Sequence, residues 1–98
     1  MDRILRVDLT RRTIREEPAP DRYRLLGGRA LTATMLLEEC DPRVHPLAPE
    51  AKLIIAPGLL GGTAVTTSGR TSFGFKSPLT GGTKEANVGG QLGHRLAR

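Results

Sequence analysis

The residues best suited to chemistry lie in the second half of the chain, where glycines and cations coincide. Residues 51–98 carry six Lys and Arg side chains against one acid, Glu85, and ten of the twelve glycines lie at or after Gly58. Residues 1–50 are neutral, so the second half supplies the whole net charge of +5. Free main-chain N–H groups and a few cations are the combination that binds an anion. A glycine-rich loop region with solvated charges explains the composition equally well.

Asn87 and the pair Gly89–Gly90 are the clearest candidates for such an anion site. They stand just before a predicted helical start, where unpaired N–H groups can point at a phosphate. An ordinary turn that needs a positive φ would use the same glycines. On spacing alone, the ordinary turn is the simpler explanation, because such glycines are common.

Two nucleotide-binding motifs are approached but not matched. Residues 69–77 resemble the phosphate loop G-x4-G-K-[ST], but Phe75 is one residue too many before Lys76, and the stretch alternates like a strand. Gly89–Gly90 and Gly93 lack the spacing of a dinucleotide fingerprint, and no βαβ unit follows them. The sequence therefore predicts neither nucleotide site.

Nucleic-acid binding is the third-ranked function. The pI of 10.4 favours it, and Arg outnumbers Lys twelve to three, which suits bidentate phosphate recognition. However, three aromatic residues offer no stacking platform, and no RNP, KH or helix-turn-helix pattern is visible. Electrostatics alone supports this function.

The remaining reactive residue types predict no catalytic or metal site. His45 and His94 are expected at the surface, Cys40 is expected as a small core residue, and Glu38–Glu39 as a solvated helix end. One cysteine excludes an internal disulfide framework. No apolar run approaches the ~18–20 residues that span a bilayer, and no leader opens the chain, so we expect a cytoplasmic protein without a membrane segment.

An α+β fold is predicted to position the candidate residues, with the element order ββ–α–β–loop–β–α. The predicted elements are a hairpin over residues 3–17, a helix from Arg29 to Cys40, a strand over 52–56, a loop over 58–69, a strand over 70–76 and a helical start cut off at Arg98. Four short strands present more apolar surface than one full helix can cover. We therefore expect further chain or a partner to supply the missing cover.

The predicted helix has a clear apolar stripe. Leu31, Met35 and the pair Leu36–Leu37 fall on one face, while Arg29, Thr32 and Glu39 are expected to face water. Asp41 before Pro42 ends the helix, because the residue before proline is disfavoured in the helical conformation.

Several segments taken together resemble one family. They are I-L-R-V-D-L-T at 4–10, L-L-G-G-R-A-L at 25–31, P-L-A-P-E-A-K-L-I at 46–54, S-G-R at 68–70, K-S-P-L-T-G-G at 76–82 and A-N-V-G-G at 86–90. In this order they resemble the N-terminal domain of the tungsten-containing aldehyde ferredoxin oxidoreductases, over the length of the chain. The resemblance implies an α+β base built from two similar repeats, which carries a tungsten or molybdenum bis-pterin cofactor. Residues 1–98 match the first repeat and so part of that domain.

The resemblance also implies which residues hold the cofactor. Arg70 matches the arginine that contacts the pterin phosphates, and Asn87 and Gly89 match positions near those phosphates and their bridging magnesium. Lys76 and Gly90 are further candidates for the same site. No catalytic residue and no metal ligand is expected in this chain.

The resemblance implies an enzyme whose other parts lie outside these residues. Such an enzyme oxidises aldehydes to carboxylic acids, holds a [4Fe–4S] cluster through four cysteines of later domains and passes electrons to ferredoxin. The 98 residues alone are then expected to be inactive, with the remainder of the enzyme as partner. Because their sheet lacks part of its cover, they are also expected to form a homodimer or to aggregate. A stand-alone accessory or interaction subunit is the alternative.

Overall fold

A computed structural model describes residues 3–23, 25–65 and 68–97. Its elements are β1 (Arg3–Asp8), β2 (Thr13–Pro18), a 3₁₀ turn (Asp21–Tyr23), α1 (Gly28–Glu39), β3 (Ile54–Pro57), β4 (Thr71–Lys76), β5 (Thr83–Val88) and α2 (Leu92–Ala97). The predicted α+β class, hairpin, helix and second helix are confirmed. Residues 66 and 67 of the predicted loop, and Arg98 of the last helix, lie outside the described residues.

Strands β1 and β2 form an antiparallel hairpin, with Val7 opposite Ile14. Its turn is organised by Asp8, whose Oδ1 accepts from the backbone N–H of Thr10 at 3.1 Å and of Arg11 at 3.2 Å. A carboxylate that binds backbone N–H groups two and three residues ahead is a common turn device. Arg12 completes the turn at a φ of 56°.

Strands β3, β4 and β5 form an antiparallel sheet with β4 in the middle. The sequence prediction missed β5 and had four strands instead of five, with residues 87–90 as a turn leading directly into a helix. Strand β5 reads T-K-E-A-N-V, and most of its residues are exposed at the sheet edge. A polar edge strand lacks the alternation that identifies a half-buried strand. Asn87 therefore lies in a strand rather than in a turn before a helix.

Helix α1 packs across the side of this sheet that carries Gly74. Leu31, Met35 and Leu36 are buried as predicted, but Leu37 is 81% exposed and lies off the packed stripe. Thr32, expected to face water, is fully buried because it packs directly against Gly74 in the sheet. The contact is so close that a Cβ on Gly74 would lie only 2.5 Å from the Thr32 Cβ. The bare glycine lets the helix approach the sheet at this point.

The core lies between α1 and this side of the sheet. Tyr23, Leu31, Met35 and Ala56 form its buried cluster, and three half-buried side chains pack against it: Ile4, Leu26 and Ile54. On the opposite side of the sheet, α2 packs over Thr71, while Ile55 and Val88 remain nearly half exposed. The expectation that part of the sheet lacks cover agrees with this exposure.

The hairpin is joined to α1 by charges. Arg6 donates to Glu17 at 2.6 Å and to Glu39 at 2.6 and 3.2 Å, and Lys52 donates to the same Glu39 at 3.2 Å. The Glu39 side chain is only 16% exposed. The prediction that Glu38–Glu39 is a solvated helix end is therefore wrong for Glu39. Strand β1 and the connector between α1 and β3 (residues 40–53) both place a cation beside it.

No helix in residues 3–23, 25–65 or 68–97 combines the length and apolar character needed to cross a bilayer.

Candidate functional site

Arg70 and Asn87 are brought together by the pairing of β4 with β5. Ser72 lies opposite Asn87 in the register, which places Arg70, two residues before Ser72, beside Asn87 on the same side of the sheet. The Arg70 Nε donates to Asn87 Oδ1 at 2.6 Å. Two of the predicted phosphate-site residues, seventeen positions apart in the chain, are thus in direct contact.

Gly89 leaves room for the Arg70 guanidinium. A Cβ on Gly89 would lie 2.9 Å from Arg70 Nη1, so a side chain at this position would push the guanidinium away. Gly90 follows with a φ of +105° and open space where its Cβ would be. A residue with a side chain is strained at that φ, so Gly90 is required by backbone conformation rather than by packing.

A row of polar side chains continues from Asn87 along the sheet. Asn87 Nδ2 donates to Ser72 Oγ at 3.1 Å and to Glu85 Oε1 at 3.3 Å, and Ser72 Oγ donates to Glu85 Oε1 at 3.0 Å. At the far end, Arg29 Nη2 lies 3.4 Å from Glu85 Oε2. We call these five residues, Arg70, Asn87, Ser72, Glu85 and Arg29, the polar row.

Glu85 is the single acid of the polar row and is held in its charged form. Burial alone would raise the pKa of its carboxyl, but hydrogen bonds from Ser72 and Asn87 and the positive charge of Arg29 outweigh it and lower the pKa. Two guanidinium groups and one carboxylate leave the row with a net positive charge. The exposed Arg70 end therefore attracts an anion.

Lys76 lies at the other end of β4 from Arg70. Its Nζ donates to the carbonyl oxygens of Pro42 and Val44 in the connector after α1. Lys76 is five residue steps along the strand from Thr71, which is about 16 Å at the usual strand rise. The structure therefore brings together Arg70, Asn87 and Gly89, with Gly90 adjacent, and places Lys76 elsewhere, in a role that fixes the connector.

His94, expected as a surface residue, is half-buried in α2 and joins two loops. Its Nδ1 accepts from the Gly62 N–H at 3.0 Å, and its ring packs so closely on Gly69 that a Cβ there would lie 2.9 Å from Nε2. Gly69 directly precedes Arg70. Sequence reasoning missed this support for the site, because nothing local links a histidine to glycines 25 and 32 residues earlier.

The side chains at this end of the sheet are cationic and amide groups rather than a set of acids and bases. In the part of the chain that the structure describes, no three His, Cys, Asp or Glu side chains converge as a metal site. Cys40 is a free thiol at the end of α1. The site contains an exposed guanidinium, an oriented amide and a main chain without side chains at Gly89 and Gly90. This combination suits phosphate oxygens.

The family model for the N-terminal domain of aldehyde ferredoxin oxidoreductase matches residues 4–98. The chain is 47% identical over 96 residues to a tungsten-containing aldehyde ferredoxin oxidoreductase of Pyrococcus abyssi, and 44% identical to that of Thermococcus kodakarensis. Each match covers 96% of this chain and 16% of the relative. The chain therefore spans about one sixth of the length of these relatives.

A solved structure shows the same fold. It is the active-site complex BamBC of benzoyl coenzyme A reductase with 1,5-dienoyl-CoA, which superposes with a TM-score of 0.90 at 35% identity. The match covers 98% of this chain and 15% of that chain. Together these findings define a small α+β domain whose three-stranded sheet carries Arg70 and Asn87 in contact at one end. The chain belongs to the aldehyde ferredoxin oxidoreductase family and corresponds to its N-terminal domain.

Proposed function

We propose that this chain is the N-terminal part of an oxidoreductase that oxidises aldehydes to carboxylic acids, and that it seats the phosphates of a tungsten or molybdenum bis-pterin cofactor. The observation that carries the proposal is the contact of Arg70 with Asn87 over the bare backbone of Gly89. The names of the relatives support the tungsten enzyme. As proposed, residues 1–98 form part of the cofactor-base domain, as the first of two similar repeats.

The residues present fit a phosphate. The Arg70 guanidinium would pair with phosphate oxygens, and the main chain at Gly89 and Gly90 would approach them without a side chain in the way. Asn87 would keep the guanidinium oriented and lie near the bridging magnesium. When bound, the metal with its dithiolenes supplies the two-electron chemistry, and this chain supplies seating and charge neutralisation. Lys76 reaches this site only if the connector releases it.

The remaining parts of the proposal lie beyond these residues. We infer that later domains supply four cysteines for a [4Fe–4S] cluster, since Cys40 alone cannot bind one. Ferredoxin is then the electron acceptor of the whole enzyme, the cytoplasm its location, and the remainder of the enzyme the partner of this chain. The half-exposed Ile55 and Val88 on the sheet support such a partner or a homodimer.

Anion binding tests the seat directly. Titration of the cofactor-free protein with inorganic pyrophosphate should show binding that Arg70→Ala weakens at least about tenfold, the effect of one charge-assisted hydrogen bond. Arg43→Ala removes the same charge from a 90% exposed side chain in the connector and should change little. Equal losses in the two variants would mean that general electrostatics, and not a seat at Arg70, binds the anion.

Activity tests the enzymatic part. The 98-residue chain should not reduce a viologen dye with aldehyde as donor, whereas the longer protein should. Turnover by the short chain would contradict the assignment of the chemistry to other domains. The gene separates the alternatives: a reading frame that continues into cysteine-bearing domains supports the enzyme, and a stop followed by a separate subunit supports an accessory protein.

A further inference from the structure

The orientation of the Asn87 amide is fixed by the groups that accept hydrogen bonds from its nitrogen. An amide nitrogen only donates and an amide oxygen only accepts. Ser72 Oγ and Glu85 Oε1 both accept from Asn87 Nδ2, at 3.1 and 3.3 Å. A flipped amide would turn its oxygen toward the Glu85 carboxylate and its nitrogen toward the Arg70 guanidinium, so both contacts would become repulsive. The acceptors behind Asn87 therefore decide that its oxygen faces Arg70.

Glu85 is the residue on which this orientation depends. Its Oε1 accepts from both Ser72 and Asn87, and its Oε2 pairs with Arg29. The Glu85 side chain is 19% exposed, and Ser72 is almost fully buried at 2%. The carboxylate is therefore held by three partners, two on β-strands and one at the start of α1, and has little freedom to move.

We propose that Glu85 is a positioning residue of the anion site: through Ser72 and Asn87 it holds the Arg70 guanidinium in the orientation that binds phosphate. This inference rests on the proposed function, since it concerns the same site. The hydrogen bonds that Glu85 accepts from Ser72 and Asn87 are the route by which it would act on Arg70.

Positioning and plain electrostatics predict opposite effects for Glu85. A carboxylate near an anion repels it, so removing the charge should tighten anion binding if charge alone mattered. If Glu85 positions Arg70, removing the carboxylate takes away one acceptor of the Asn87 amide and the acceptor that orients the Ser72 hydroxyl. The Ser72 hydroxyl can then donate as well as accept, so the amide can flip and the guanidinium loses its fixed orientation. An acid whose removal weakens anion binding is acting through geometry.

The test measures pyrophosphate affinity in the cofactor-free protein, in the longest form that its gene encodes. Glu85→Ala should weaken binding about fivefold, the worth of one lost orienting hydrogen bond. Glu85→Gln keeps an acceptor at the same reach and should bind at least as well as the wild type. Glu85→Asp keeps the charge but withdraws it by one methylene and should bind more weakly than the wild type. Glu50→Ala removes a carboxylate from an exposed residue and is the matched control.

A second readout follows Arg70 without any ligand. The Arg70 Nε–H is bonded to Asn87, so it should give a slowly exchanging NMR signal in the wild type and in Glu85→Gln. In Glu85→Ala the signal should exchange quickly. Thermal melts of each variant show that the comparison is made on folded protein, and Glu85→Gln, which preserves the hydrogen-bonding shape, keeps the test informative if Glu85→Ala does not fold.

The two possible failures give different results. If the proposed function is wrong, wild type and Arg70→Ala will bind pyrophosphate equally. If only the present proposal is wrong, binding will depend on Arg70, but Glu85→Ala will leave it unchanged or tighten it and will leave the Arg70 Nε–H signal slow.

Discussion

The three-stranded sheet and the hairpin both pack against α1, but through different kinds of contact. The sheet meets the helix through Gly74 and Thr32, which approach so closely that a single Cβ would not fit. The hairpin adds the half-buried Ile4 to the core but meets the helix mainly through Arg6 and Glu39, a part-buried ion pair. The close packing of Gly74 on Thr32 is insensitive to salt and pH but does not tolerate added side-chain volume. The ion pair of Arg6 with Glu39 is weakened by salt and by acid but tolerates small changes in side-chain volume.

Gly74→Ala should have the largest effect, because it adds volume where the sheet meets α1. The new Cβ would lie 2.5 Å from the Thr32 Cβ and 2.9 Å from its Oγ1. The helix must then move off the sheet, and we expect a loss of about 3 kcal/mol in the free energy of unfolding. The urea midpoint measures it.

Gly82→Ala is the control for that substitution. A Cβ at Gly82 would have its nearest neighbour at 3.7 Å, so the stability should stay within about 0.5 kcal/mol of the wild type. Equal losses of stability in both variants would show that the loss in Gly74→Ala does not come from the close contact between Gly74 and Thr32.

Glu39→Gln should have the second-largest effect, on the hairpin side of α1. It keeps the shape but removes the charge that faces Arg6 and Lys52, and we expect a loss of about 2 kcal/mol, since hydrogen bonds to charged groups are worth more than neutral ones. Hydrogen exchange should show faster opening of the hairpin amides, with the sheet amides less affected. Uniform acceleration across both sheets would contradict a separate mode of attachment for the hairpin.

Acid should weaken the hairpin side selectively. The hydrogen bond from Arg6 lowers the pKa of Glu39 below its ordinary value of 4.5, against an opposing effect of burial and with further help from Lys52. A depressed carboxyl pKa stabilises the fold above its unfolded-state value and loses that contribution as the pH falls below it. The stability difference between wild type and Glu39→Gln should therefore be full at pH 7 and shrink steadily below about pH 4.5. A difference that stays constant down to pH 2 would exclude this linkage.

Glu16→Gln should have the smallest effect. It removes the charge that pairs with Arg3 on the hairpin, where the two side chains are 75% and 53% exposed. An exposed ion pair contributes about 0.5 kcal/mol or less. A loss as large as that of Glu39→Gln would show that neither burial nor the contact with α1 makes Glu39 more important than Glu16. Thermal melting at low and at high salt resolves the small change.

The elements that were predicted correctly are those with a local hydrophobic pattern. The alternation of β1 and β2 and the stripe of Leu31 and Met35 identified the hairpin and α1. Strand β5 was missed because its residues are polar and its partner is distant, and Thr32 was misplaced because its burial depends on a glycine 42 residues later. The apolar pattern of a helix predicts the helix itself but does not show which distant residue packs against it.

The candidate site was predicted partly by pattern and partly by resemblance. Glycine spacing indicated Asn87, Gly89 and Gly90 only as an ordinary turn or an anion site, and the family resemblance added Arg70. The structure places Arg70 against Asn87, and their assignment to the cofactor phosphates stays a prediction. The support from Glu85 and His94 could not be predicted, because it requires the register of β4 with β5 and the position of a loop 32 residues before His94.

The loop that begins at Gly58 also bears on the order in which the chain folds. It meets the start of α1, where a Cβ on Gly27 would lie 2.5 Å from the Leu59 nitrogen, and it meets α2 through Gly62 and His94. Contacts between residues this far apart require large loops to close first, which slows folding. During synthesis, Arg6 and Glu39 both leave the ribosome before Gly74 does. The residues of the salt-sensitive contact are therefore available first, and the glycine on which the close packing depends follows later.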